Sequence, residues 1–232
     1  MKTLAAAVVL FACNLQVAPA GLAAELEKKW PENRTINFVF HGHSVPAGYQ
    51  KTPDVRTFEA YPHLFAVAVK AAYPHAVINS IVTAVGGENS IRGAARFKRD
   101  VLKHDPDLVF IDYALNDRRK PPAEVEAAWR AMIGIAKEAG VPVILCTPTG
   151  DLREDLSDPA NPLRVLADMI RRLGREENVP VADVSAAWAD EVTAKGTPQE
   201  QLLSQPNHPN LRGNQLAANA LFRAFIDATK EP

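Results

Sequence analysis

The residues with the most chemical potential in this chain are scattered along it. Ser44 follows an apolar, β-rich run at 36–40 that stops abruptly in Gly42-His43-Ser44 and then Val45-Pro46-Ala47-Gly48. A buried parallel strand that ends this way delivers one hydroxyl to the carboxyl edge of a sheet, whereas the commoner use of such a serine is as a helix cap or loop residue. A second apolar run leads into Val85-Gly86-Gly87-Glu88-Asn89-Ser90, and a third into Ala114-Leu115-Asn116-Asp117. Paired glycines permit close backbone approach and an N–H aimed at a ligand, and an asparagine at such a stop can offer a side-chain amide. His208 lies in Gln205-Pro206-Asn207-His208-Pro209-Asn210, just before the last helical pattern. Acyl transfer needs a nucleophile, a base, donors for the developing oxyanion and a group that holds the base. These residues offer the first three.

The other five histidines fit the role of base less well. His63, His75 and His104 fall on helix or turn surfaces. His41 and His43 flank the serine, but alternation along an extended segment turns neighbouring side chains to opposite faces, away from the Ser44 proton. As His-x-His they have no accompanying carboxylate or cysteine cluster, so a metal is not expected.

The elements that must position these residues alternate along the chain. Apolar runs at 36–40, 76–83, 108–114, 141–147 and 179–184 read as five strands. Helical patterns lie between and after them at 62–73, 90–103, 122–139, 162–177 and 211–230, several with proline in the first turn. Such alternation predicts an α/β protein with a mainly parallel sheet covered on both faces, binding ligands beyond the carboxyl ends of its strands. Segments 49–61 and 151–161, polar and proline-bearing, are expected to line that edge, and Trp129 and Trp188 to pack helices.

With 232 residues, 47% hydrophobic and 23% charged, the chain supports one well-filled core. A net charge of −1 from intermixed residues gives no footprint for nucleic acid or an anionic membrane. Arg92, Arg96, Lys98 and Arg99 read as a solvated helix face. Residues 1–24 have the pattern of a secretory signal peptide: Lys2, an apolar run at 4–12, then Ala18-Pro19-Ala20 and Gly21-Leu22-Ala23, with cleavage near 20–24. The run is shorter than the roughly 20 residues that span a membrane, and Cys13 makes only a weak lipoprotein site. Residues 25–232 are then a single exported domain with a linker-like start at 25–34. Cys146 is its only cysteine, so it can form no internal disulfide. Asn33-Arg34-Thr35 is a glycosylation sequon of consequence only in a eukaryotic secretory host.

The ordered set Gly42-His43-Ser44, Gly87-Glu88-Asn89-Ser90, Leu115-Asn116-Asp117 and Asn207-His208-Pro209-Asn210 with Gly213 resembles the four blocks of the SGNH/GDSL hydrolases, over essentially residues 36–226. The resemblance implies a three-layer α/β/α, flavodoxin-like fold with a five-stranded mainly parallel sheet, and serine ester hydrolysis without metal or cofactor. It assigns Ser44 as nucleophile and His208 as general base. The oxyanion hole it implies comprises the Ser44 and Gly87 N–H groups and the Asn116 amide. Three residues depart from the family pattern: His43 stands for the usual aspartate, Ala114 for a glycine, and Gln205 for the acidic residue three positions before the histidine. Glutamine can accept a hydrogen bond but brings no charge, so a Ser44–His208 dyad is expected, with the imidazole oriented by Gln205 or by a carbonyl near 204–206. Export and a loop-built cleft suit removal of a small acyl group, acetyl above all, from a carbohydrate or other extracellular ester. A lysophospholipase, a broad esterase, or a non-catalytic ligand-binding module on the same fold are the alternatives.

Overall fold

The computed structural model describes residues 20–155 and 158–229; residues 1–19, most of the expected signal peptide, lie outside them. Helices α1 (Ala20–Glu27), α2 (Tyr61–Ala72), α3 (Ser90–Asp100), α4 (Ala114–Asp117), α5 (Pro122–Glu138), α6 (Pro162–Glu177), α7 (Val184–Ala189) and α8 (Leu211–Thr229) surround the sheet. Its strands are β1 (Thr35–Gly42), β2 (Val77–Val82), β3 (Leu108–Asp112), β4 (Val143–Cys146) and β5 (Val181–Ala182), in the order β2-β1-β3-β4-β5 with every pairing parallel. A short antiparallel pair, β6 (Leu203–Gln205) with β7 (His208–Pro209), stands apart. This is the expected α/β/α architecture.

Alternation along the central strands feeds two cores. Ile36, Phe38 and Phe40 of β1 and Leu108 and Phe110 of β3 enter one, against α1, α2 and α8. Val39, Val109 and Ile111 enter the other, against α3, α5 and α6. The first is aromatic at its centre: the Phe40 and Phe110 rings stack 4.8 Å apart, and Phe65 of α2 meets Phe38, Phe40, Phe110 and Phe225 edge-on. Helix starts follow their sequence signals. Pro62, Pro122 and Pro162 occupy first turns, and the Asn89 and Asn161 side chains cap α3 and α6.

Two expectations need correction. The linker-like segment is not wholly irregular, because α1 runs to Glu27 and buries Leu22 and Leu26, four residues apart on one face, in the first core. The third strand ends at Asp112 rather than at 114, because Ala114 already begins α4. That early stop turns Asn116 and Asp117 back over the sheet edge.

The aromatic centre sets a measurable expectation. Phe65→Ala should cost about 3–5 kcal/mol of stability by chemical denaturation, since a fully buried ring is replaced by a cavity among four others.

Candidate active site

Strand β1 carries the chain through Gly42 to Ser44, and no residue larger than glycine fits at 42. A Cβ there would lie 2.4 Å from the Asp112 carbonyl oxygen of the neighbouring strand and 2.8 Å from Pro46. The following turn is closed by Tyr49 N–H donating to the Ser44 carbonyl at 3.0 Å. Ser44 Oγ then lies 2.9 Å from His208 Nε2, across 164 residues of sequence.

His208 comes from the β6–β7 hairpin. Its Nδ1 lies 2.8 Å from the backbone carbonyl oxygen of Gln50 and 2.8 Å from Gln205 Nε2. The carbonyl expected from 204–206 therefore comes from Gln50, in the loop after Ser44. The Gln205 amide is oriented by its other end, where Oε1 accepts the Thr52 N–H at 3.0 Å. A backbone N–H can only donate, so the amide presents its NH2 to the imidazole. Two tautomers of His208 thus compete. Donation from Nδ1–H to the Gln50 carbonyl leaves Nε2 free to accept from Ser44, whereas donation from Gln205 to Nδ1 places the proton on Nε2. Burial pushes the His208 pKa below the ordinary imidazole value, with the charge of Arg153 acting the same way against the Gln50 carbonyl and Asp151. The neutral ring is therefore favoured at neutral pH.

The glycine loop docks on the end of β1 through Val85 N–H and the Gly42 carbonyl at 3.0 Å. Gly87 has φ +75°, a left-handed conformation that suits glycine. Neither the Ser44 nor the Gly87 N–H donates to a partner among the described residues. Asn116 Nδ2 donates to the Glu88 carbonyl at 2.9 Å, which fixes the amide and leaves its second proton uncommitted. The Ser90 N–H donates to Asp117 Oδ1 at 2.8 Å, and Trp129 Nε1 donates to the other oxygen of that carboxylate at 2.9 Å.

Behind the loop lies a buried polar cluster that the sequence did not reveal. The Glu88 carboxylate accepts from Arg96 Nε at 2.9 and 3.0 Å, from Arg96 Nη2, and from Tyr113 OH at 2.9 Å. Tyr113 OH also lies 3.0 Å from His41 Nε2, and His41 Nδ1 lies 2.9 Å from Thr83 Oγ1. Arg96, expected on a solvated face, is turned inward with only 13% of its side chain exposed. Burial lowers the His41 pKa to about 4, so that ring is neutral and structural. His43 accepts the Val45 N–H through Nδ1 at 3.2 Å, and its Nε2 sits 3.3 Å from Asp112 Oδ1, out of line for a hydrogen bond. Neither histidine touches Ser44 Oγ. Trp129 and Trp188 are fully buried between helices.

A serine hydroxyl on an imidazole nitrogen, beside unclaimed amide donors at a sheet edge, has the parts of an acyl-transfer site. Residues 40–216 match the family model of the GDSL-like lipase/acylhydrolase family. The chain belongs to that family. It is accordingly a serine esterase or acylhydrolase by family. Solved structures share its fold. An acetylxylan esterase from Geobacillus stearothermophilus is 22% identical with TM-score 0.68, over 82% of this chain and 94% of its own. A putative GDSL-like lipase from Parabacteroides merdae is 24% identical with TM-score 0.65, over 84% and 95%. A two-domain esterase active on acetylated mannans is 22% identical with TM-score 0.68, over 85% of this chain and 50% of its own. No curated protein matches the chain.

The contest at Nδ1 is open to direct measurement. Gln205→Glu should raise the His208 pKa by about 1, because a carboxylate in place of the amide accepts from Nδ1–H and favours the charged ring. NMR titration of the imidazole reads this, and an unchanged or lowered value would mean that the Gln205 side chain does not face Nδ1.

Proposed function

We propose that the protein removes a small acyl group, acetyl above all, from a carbohydrate ester outside the cytoplasm, through an acyl-enzyme on Ser44. The observation that carries this reading is the Ser44 Oγ–His208 Nε2 contact, with Nδ1 held by the Gln50 carbonyl. In that tautomer His208 takes the Ser44 proton as Oγ forms a bond to the ester carbonyl carbon. The resulting oxyanion accepts from the Ser44 and Gly87 N–H groups and from the free proton of Asn116 Nδ2. As the carbon–alkoxide bond breaks, His208 returns the proton to the leaving alcohol. Water, deprotonated by the same nitrogen, then attacks the acyl-enzyme, and the carboxylic acid leaves with Ser44 restored. Gln205 has no productive part in these steps, since its amide favours the opposite tautomer.

A small acyl group is supported by the walls around Asn116. The cavity beside it measures about 150 Å³ and is lined by three arginines with Leu115 as its one aliphatic residue, which gives a long acyl chain no apolar channel. The activities of the structural relatives, on acetylated xylan and on acetylated mannans, accord with the same reading.

Release of 4-nitrophenol from 4-nitrophenyl acetate tests the proposal. Ser44→Ala and His208→Ala should fall to background, and Asn116→Ala should lose roughly 10² to 10³ in kcat. Gln205→Ala should keep most of its activity, and a loss as complete as that of His208→Ala would overturn the dyad. The acid limb of kcat/KM should have its midpoint below the ordinary imidazole value, since protonated His208 cannot act as a base and its pKa is depressed.

Export is part of the reading, and the packing of α1 favours a cut early in the expected 20–24 window. Leu22 and Leu26 pack in the core beside α8, so cleavage after Ala20 retains both and cleavage at 24 discards one. N-terminal sequencing of the secreted protein should begin at Gly21.

A further inference from the structure

The cavity beside Asn116 has a charge that ester hydrolysis alone does not require. Its lining is Leu115, Asn116, Arg118, Arg119 and Arg153, with three guanidinium groups and no carboxylate. Two of the three are held from behind. Asp151, fully buried, accepts through one oxygen from Arg118 Nη1 at 2.5 Å and Arg153 Nη2 at 2.6 Å, and through the other from Arg153 Nε at 2.9 Å. Glu154 Oε1 lies 3.5 Å from Arg118 Nε. Arg119 is exposed and makes no ion pair among the described residues. Three positive charges therefore stand against two negative ones, and both of the negative ones lie outside the lining.

The cavity shares one residue with the proposed oxyanion hole. Asn116 lies in its wall. The Leu152 N–H donates to the Pro206 carbonyl at 2.8 Å, which docks the loop carrying Arg153 onto the hairpin of His208. The charge of Arg153 is one of the influences that hold the His208 pKa down, which places the two within electrostatic reach.

Resting on the hydrolase reading above, we infer that the ester substrate carries a carboxylate, as an acidic sugar does, close to the acyl group that is cleaved, and that Arg119 and Arg153 receive it. A guanidinium fork matches a carboxylate in plane and in hydrogen-bond spacing. Buried Asp151 fixes the Arg153 fork, so less side-chain freedom is lost when a second carboxylate arrives, while Arg119 brings the uncompensated charge. A phosphate-bearing lysolipid shares the negative charge, but its acyl chain finds one leucine in this wall.

A matched pair of substrates tests the inference: the acetylated methyl glycoside of galacturonic acid and its neutral methyl ester, with acetate release measured at low salt. The wild-type enzyme should prefer the acid by about three- to tenfold in kcat/KM, through KM rather than kcat, as expected for a partly exposed ion pair. That preference should fall to less than half in Arg119→Ala, collapse to about one or reverse in Arg119→Glu, and shrink in 0.5 M sodium chloride as screening grows. Equal rates on the two substrates in wild-type enzyme, or a preference that survives Arg119→Glu, would overturn the inference while leaving the esterase reading intact. Preferential cleavage of lysophosphatidylcholine over both would overturn it in favour of a lipid substrate. If neither sugar ester nor 4-nitrophenyl acetate is cleaved beyond the Ser44→Ala background, the hydrolase reading falls and this inference with it.

Discussion

The contact between His208 Nδ1 and the Gln50 carbonyl is the constraint on which the proposed chemistry turns. An imidazole beside a serine is a base only in the tautomer that leaves Nε2 unprotonated. In serine hydrolases with a triad, a carboxylate sets that tautomer and stabilises the imidazolium, and its conversion to an amide costs about 10⁴ in turnover largely by installing the wrong tautomer. Here a backbone carbonyl does the first task alone. A carbonyl cannot donate, so it selects Nδ1–H without ambiguity; its dipole supplies less of the second task than a full charge would. The Gln205 amide works against it. His208, the proposed base, has a depressed pKa, so it is ready in its neutral form but less strongly driven to accept a proton than a triad histidine.

The proposed oxyanion side, around Gly87 and Asn116, is built on the opposite principle, with charge in abundance but kept one layer back. Glu88, Arg96, Tyr113 and His41 form a buried network in which the carboxylate and the guanidinium meet in a forked pair, and the rings complete the remaining bonds. Such a network stabilises only when all its members are paired, because an orphaned buried charge costs more than the pair contributes. Its effect is geometric. The Glu88 carboxylate fixes the peptide after Gly87, and the Glu88 carbonyl fixes Asn116. Gly93 permits the arrangement, because a Cβ at that position would lie 2.4 Å from Tyr113 OH.

Most of the fold was legible in the sequence, and the reason is its periodicity. Runs of β-branched and aromatic residues at 36–40 and 108–114 have no helical spacing, and the helices between carry proline and asparagine where first turns and caps need them. The ends of elements were less legible. Ala114 reads as the last residue of an apolar run, and only its backbone reveals the turn into α4. Leu22 and Leu26 were hidden by a stronger signal, the small residues that read as the end of a leader. At the candidate site, Ser44, Gly87, Asn116 and His208 stand out by sharp local composition. Gln50 does not, because a backbone carbonyl has no side-chain signature. Arg96 reads as solvated because a helical arginine usually is, and its partners Glu88 and Tyr113 lie off its own helix, eight and 17 residues away.

The separation of Ser44 and His208 raises the question of what keeps a 2.9 Å contact over so long a chain. The answer lies in α8 and a single asparagine. Asn214 Oδ1 accepts the Tyr61 N–H at 3.1 Å at the start of α2, while its Nδ2 donates to the Pro209 carbonyl at 3.2 Å, one residue beyond the base. The side chain thus ties the His208 hairpin to a helix that packs directly on β1 and β3. Asn210 adds a second tie, its N–H donating to the Leu202 carbonyl at 3.0 Å and its side-chain oxygen accepting from Gly213. Because α2 and α8 share the aromatic core with Phe40, the strand that leads into Ser44 and the hairpin that carries His208 are positioned by the same packed layer. Close-packed interiors transmit such placement with little slack. The core is therefore part of the geometry of the proposed dyad, and a cavity opened at Phe65 would loosen the placement of Ser44 and His208 together.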